Sequence, residues 1–317
     1  MALNSNKNYL VCQFGMPLYG VGGLPPFTGN YFWVDATNGS DGNTGGPQDP
    51  FATITQALTQ VTNNNNDVIF LTGTYHTTAT INWSNGWTHL VGLAAPSNSP
   101  RARISSTGAT PFQPLVNVTG AGCQFINIGA FHGGFTGATG TQICWIAAGS
   151  QSYYKNVAFY GGGDATTAAL SGMSSLAVNG ADENVFEDCT IGLDTIVRAT
   201  NANASMVMNG GSARTTMRRC KFQSLISDTA DVHINIPAGG MDRYLLLDDC
   251  DFINVVDSSS STMAAAITIA SGGGPNGSVI LNGGISLGAT AIATTGTIYV
   301  NGAVPAATTS SIAIKAT

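Results

Sequence analysis

The sequence predicts an all-β chain wound as a solenoid of parallel strands, with rungs of about thirty residues and one short helix ahead of the stack. Three observations carry this expectation. An apolar–x–apolar–glycine motif recurs six times at steps of 28 to 33 residues. No helical segment lies between the repeats to carry a crossover, which disfavours a βαβ array. Glycine fills 40 of 317 positions while charged residues make up 9%, so turns are plentiful and the surface is largely neutral.

Composition also limits function. A hydrophobic content of 43% can build a core, unlike that of an ordinary disordered chain. No stretch holds the roughly 18 consecutive apolar residues of a membrane helix, so no membrane partner is expected. A net charge of −6 lacks the basic footprint that nucleic acid requires.

In chain order, residues 1–29 read as an extended arm, punctuated by Gly15 and Pro17. A single lysine and the absence of a small-residue cleavage site make it a poor signal peptide. Leu10, Phe14, Leu18 and Tyr19 need a surface to pack on, either a partner subunit or the body of the same chain. Residues 50–62 place Phe51, Ile54, Ala57, Leu58 and Val61 at helical spacing, and the Asn63–Asn66 run ends the helix. Such a helix would cover the open end of the solenoid, whose unpaired backbone invites edge-to-edge association. Asp67-Val-Ile-Phe-Leu71 then starts the first buried strand.

The repeats follow as Val116/Val118/Gly120, Cys144/Ile146/Gly149, Leu176/Val178/Gly180, Met206/Met208/Gly210, Ile234/Ile236/Gly239 and Ile267/Ile269/Gly272. Alternation with period two reads as strand and the glycines as turns. A second pattern comes after each: Phe125/Ile128/Phe131 with one residue extra, Tyr154/Val157/Phe159, Phe186/Cys189/Ile191, Met217/Cys220/Phe222, Leu247/Cys250/Phe252 and, more loosely, Ile280/Gly283/Ile285. Stacked about 4.8 Å apart, Cys189, Cys220 and Cys250 should form an inward thiol ladder capped by Val157. Cys12, Cys123 and Cys144 are scattered, and no cysteine pair has zinc spacing, so reduced thiols in a cytoplasm fit best. The solenoid is expected over residues 30–285, with 286–317 as a neutral C-terminal β segment.

Twenty of the 28 charges lie between Lys155 and Asp257, and residues 258–317 carry only Lys315. Charge depletion of that kind marks subunit contacts. The pairs Lys155-Asn156, Glu187-Asp188, Arg218-Arg219 and Asp248-Asp249 precede the inward small residues and alternate in sign. Asp188, Arg219 and Asp249 are therefore expected as an outward charge ladder that helps fix register. Asp188 and Asp249 would have glycosidase spacing, but Arg219 between them favours ionisation of both, so no catalytic residue is assigned. Asp248-Asp249-Asp251 reads as a solvated strand edge. Asp35, Asp41 and Asp49 could donate oxygens to calcium, although Asx turns explain them equally well. His76, His89, His132 and His233 have no partner at metal or triad spacing and are expected at turns or the surface, with His233 facing out. Trp83, Trp87, Phe131, Phe135, Tyr153 and Tyr160 could stack on sugar rings, core packing being the commoner use. No GxSxG, P-loop, HExxH or dinucleotide fingerprint is present, and no cofactor is expected.

Tyr31-Phe-Trp-Val34-Asp35, Gly39-Ser-Asp41-Gly-Asn43, Pro50-Phe-Ala-Thr53-Ile54, Ala57-Leu58, Val68-Ile69 and Gly73-Thr-Tyr75 resemble the leading segment of pectin-lyase-like right-handed parallel β-helix proteins. The motif covers about 45 residues and is specific for fold rather than function. The resemblance implies a right-handed parallel β-helix. The uncharged C-terminus, with Gly296-Thr-Ile-Tyr-Val-Asn-Gly302, looks more like phage structural proteins than secreted pectinases. On that likeness the chain is expected to be a non-enzymatic virion component. It would be a homotrimeric capsid decoration or head-fibre protein whose arm contacts the major capsid protein or another virion protein. The alternative is a tailspike or secreted β-helix protein that binds or cleaves polysaccharide, with a glycan as partner. A self-assembling surface adhesin is a third reading.

Overall fold

The computed structural model describes residues 27–108, 110–133, 135, 137–199, 203–256, 260–270, 276–294, 298–301 and 311–313. The arm positions Leu10, Phe14, Leu18 and Tyr19 lie outside the described residues. The chain is a right-handed parallel β-helix of about seven turns with very little helix. Its strands fall into three sheets of ten, seven and ten members among the described residues. One rung runs from the first sheet (Tyr153–Lys155) across a tight bend to the third (Ala158–Tyr160). A longer loop then leads to the second (Ser174–Asn179) and a glycine-bearing turn leads back to the first (Val185–Glu187). Pairing continues past the 285 boundary expected from the sequence: Ile298–Asn301 pairs in parallel with Asn276–Asn282, while Ser311–Ala313 is antiparallel to Ile285–Leu287.

The stack begins at Tyr31–Asp35, which pairs with Asp67–Thr72. The helix is shorter than its apolar spacing suggests, Ile54–Gln60 rather than 50–62. Phe51 is taken by the sheet instead: its N–H donates to the Trp33 carbonyl and its own carbonyl accepts from Asp35 N. Thr53 then caps the helix, its hydroxyl accepting from Gln56 N at 3.0 Å. Asp67, fully buried, ties the start together by accepting from Asn30 N (2.5 Å), Thr62 N (2.7 Å) and Asn65 Nδ2 (2.8 Å). Replacing a buried carboxylate that satisfies backbone donors strands those donors. Asp67→Ala is therefore expected to cost about 2 kcal/mol, read as a lowered urea midpoint. An unchanged midpoint would mean that the cluster is solvated.

Five of the six glycine-linked motifs lie in register: Leu176 pairs with Met206, Met206 with Ile234, and Ile234 with Ile267. The sixth is displaced by one residue, because Trp145 and Ala147, not Cys144 and Ile146, align with Val116 and Val118. Cys144 is also buried, its thiol reaching the Ala130 carbonyl at the neighbouring corner. The third-sheet partner of Phe159 is Ala130 rather than Phe131. At the far end Leu281 and Ser286, not Ile280 and Ile285, continue the inward columns.

Inside, Phe125, Tyr154 and Phe186 form a column of stacked rings, with Tyr154 and Phe186 4.5 Å apart and 7° from parallel. Trp145 and Phe159 meet that column edge-on. Beside it stand Ile128, Val157, Cys189, Cys220 and Cys250, all buried. Each of the last three thiols donates to a carbonyl of the preceding rung: Cys189 to Tyr154, Cys220 to Phe186 and Cys250 to Met217. The column ends at Gly284, where a β-carbon would lie 1.9 Å from the Cys250 carbonyl oxygen. Burial and mutual contact push the Cys220 and Cys250 thiols well up, so they remain protonated and unreactive.

Candidate functional site

The bend between the first and third sheets places one residue per rung in the left-handed region: Asn127, Asn156, Asp188, Arg219 and Asp249, with φ between 49° and 55°. Because the backbone reverses there, two consecutive side chains point outward instead of alternating. Asn156 Nδ2 donates to Asn127 Oδ1 at 2.7 Å, and Asn127 Nδ2 donates to the Gly92 and Ala94 carbonyls. In the next rungs charge replaces the amides. Arg219 grips Asp188 through Nε (2.7 Å) and Nη2 (3.2 Å) and also reaches Glu187. Lys155 lies 3.8 Å from Glu187 and 3.9 Å from Asp188.

The charge ladder expected from Asp188, Arg219 and Asp249 is thus only half present. Arg219 turns wholly to the preceding rung, and Asp249 is in no ion pair among the described residues. Glu187, its strand neighbour Lys155 and the Tyr153 hydroxyl supply the contacts that the two-carboxylate reading left out. A hydrogen bond from Tyr153, with Arg219 and Lys155 close by, holds the Glu187 carboxyl below the usual range.

A groove lies over this bend. Loop 93–99 overhangs it, held by Tyr160 Oη to the Asn98 carbonyl at 2.8 Å and by Arg103 Nη2 to Ser99 Oγ at 2.8 Å. Its volume is about 410 Å³, and its walls include Pro96, Asn98, Lys155, Asp188, Arg219 and Lys221. That size lies within the range of small-ligand sites. Lys221 faces it with no ion-pair partner among the described residues. The loop is more than fifty residues from the nearest charged wall residue, so no local sequence pattern announces the groove.

Other sequence candidates fall elsewhere. Asp35 accepts from Thr37 N and Asn38, Asp41 from Ala52 N and Thr53, and Asp49 from Thr44. These three carboxylates stitch the leading loop together rather than form a calcium site. Among the described residues no group of three metal-ligating side chains converges. The surface placement of the histidines holds only for His76. His89, His132 and His233 are buried, the last against the inward rings of Phe222 and Phe252, because alternation breaks where His233 N and Ile234 N both donate to the Ala266 carbonyl. Trp83, Phe135 and Tyr160 are core residues, Phe131 and Tyr153 are half-buried, and Trp87 is exposed at the opposite bend against Gly122. No helix among the described residues is long and apolar enough to cross a membrane.

No protein-family model matches the sequence, and no curated protein is similar to it in sequence. Solved structures are similar in shape. Pectate lyase Pel9A superposes with a TM-score of 0.57 at 14% identity, over 87% of this chain and 67% of that one. The fold is pectin-lyase-like. A rhamnogalacturonan lyase aligns at a TM-score of 0.50 and 11% identity over 80% of this chain and 67% of its own. Pectin methylesterase from Aspergillus niger aligns at 0.49 and 16%, over 82% and 78%. At such identities this pectin-lyase-like likeness establishes the architecture alone.

Proposed function

We propose that this chain is a polysaccharide-binding β-helix protein and that the groove under loop 93–99 receives an acidic glycan. The observation that carries the reading is the groove itself, an open trough of about 410 Å³ with Lys155, Arg219 and Lys221 on its walls in a chain of net charge −6. Lys155 and Arg219 are partly neutralised by Glu187 and Asp188, which leaves Lys221 as the cation free to meet a sugar carboxylate. The similar folds include a pectate lyase and a rhamnogalacturonan lyase, in agreement with such a ligand. The reading is one of recognition, and Glu187 does not suit the acid of a glycosidase. Glycoside hydrolysis needs a carboxyl with a raised pKa, and Glu187 is shifted the other way.

Isothermal titration with polygalacturonate is expected to show salt-sensitive binding that a neutral glucan does not share. Lys221→Ala is expected to weaken it by about fivefold, the scale of one partly exposed charge contact, without changing the melting midpoint. Equal affinity for both polymers, or none for either, would overturn the reading.

A second reading rests on the far end of the stack. Val255, Val256, Ile285 and Leu287 are exposed apolar side chains beside a nearly charge-free terminus. That end suits self-association, as in a homotrimeric virion component docked on a capsid protein. Sedimentation equilibrium showing only a 32.4 kDa species would remove it.

A further inference from the structure

Arg198 is almost fully buried at the corner between the third and second sheets, on Val197–Arg198, which pairs with Lys221–Ile226. Its Nη2 donates to the Val232 carbonyl at 3.2 Å, but its Nε–H has no partner among the described residues. A small, partly open cavity lies against it, its walls including Ser175, Ser205, Gly192, Met173 and Ile196. About 10 Å³ is open to the centre of a water-sized sphere, which is room for one particle. Ser175 Oγ accepts from Gly161 N at 2.9 Å, which leaves its own proton without an acceptor among the described residues. Ser205 already donates to the Gln223 carbonyl. The side chains on the wall therefore offer two unspent donors, one on a guanidinium, beside the Ser175 and Ser205 hydroxyl oxygens. Asp231, the nearby carboxylate, is not on the wall.

We propose that this cavity is a binding site for a single monoatomic anion of the halide class, held by Arg198 Nε and Ser175 Oγ. A halide accepts from both donors at once, whereas a water molecule must also place two protons of its own. A buried guanidinium also interacts more strongly with an anion than an exposed one does. Binding to the folded state alone raises stability with ligand concentration.

The melting midpoint is expected to rise with sodium chloride relative to sodium gluconate at equal ionic strength, and Ser175→Ala is expected to shrink the difference. Arg198→Met should abolish it where that variant folds; Ser175→Ala carries the test where it does not. In crystals grown in bromide, one anomalous peak is expected between Arg198 and Ser175. Water-like density there without an anomalous signal overturns the proposal whatever the melting curves show. Identical midpoints in the two salts overturn it as well.

Discussion

Stability is expected to fall steeply as the pH drops from 6.5 towards 4, because three buried histidines are held neutral by the fold. Burial pushes His89 and His132 down to about 4 and His233 well below its ordinary value of 6.5. Hydrogen bonding agrees with burial at His89, whose Nδ1 accepts from Gln124 N at 3.0 Å while Nε2 meets Asn66 Oδ1 at 2.5 Å. At His132, Nε2 meets the Phe112 carbonyl and Nδ1 meets Ser106 Oγ. Protonating either Nδ1 removes an acceptor that the structure uses. In this window the unfolded chain binds more protons than the folded one, so stability is full above 6.5 and is lost as pH falls. Asp67 near His89 and Asp164 near His132 soften the effect, and Arg198 near His233 sharpens it.

One carboxyl acts in the opposite sense. Burial raises Asp231 to about 6, against the pull of Arg198 and Asn203 N. Its contribution is complete below 3.8 and fades as pH rises through 6. It therefore offsets roughly one histidine. Each histidine is worth on the order of 3 kcal/mol across the window, so a net loss of at least about 3 kcal/mol remains. Urea titrations at successive pH values measure it directly. A flat midpoint from 6.5 to 4 would show that these imidazoles reach solvent.

Phe186→Ala is expected to lower stability by about 3–5 kcal/mol, a large share of the roughly 5–15 kcal/mol that holds a typical domain. The ring is fully buried, stacked on Tyr154 and met edge-on by Phe159, so its loss leaves a void that flanking rungs cannot close without breaking strand pairing. Tyr154→Phe should do the reverse. Among the described residues the Tyr154 hydroxyl is buried without a hydrogen bond of good geometry, the Trp145 N–H being a poorly aligned neighbour, and removing it is expected to gain up to about 1 kcal/mol. Equilibrium unfolding of both variants decides the point. A cost below about 1 kcal/mol for Phe186→Ala would contradict close packing of the column.

The solenoid was legible because period-two burial and the near-thirty-residue step both come from local backbone geometry. The misplaced motif at Cys144 has a local cause: Cys144 and Trp145 both enter the core, the thiol at the corner beside Ala130, so apolar residues stop alternating and the phase becomes ambiguous. At the last rung the pattern inverts, with Ile285 and Leu287 exposed and Ser286 inward. His233 was misplaced for a related reason: two consecutive amides share the Ala266 carbonyl there, so His233 and Ile234 both turn inward. The pairing of Glu187-Asp188 with Arg219 could be anticipated from alternating sign. The groove could not, since its overhang depends on Tyr160 and Arg103 fastening a loop from earlier in the chain.

The register of the bend columns has a consequence for how such a molecule can change size. Asp188 and Arg219 occupy equivalent places one rung apart, and so do the thiols that follow them. Excising Cys189–Arg219 would join Asp188 to Cys220 with every column still in phase, shortening the rod by one step of about 4.8 Å. Removing half as many residues would put each apolar side chain out of line. Length in this architecture is thus a counted quantity, gained or lost in whole coils, while local loops remain free to vary.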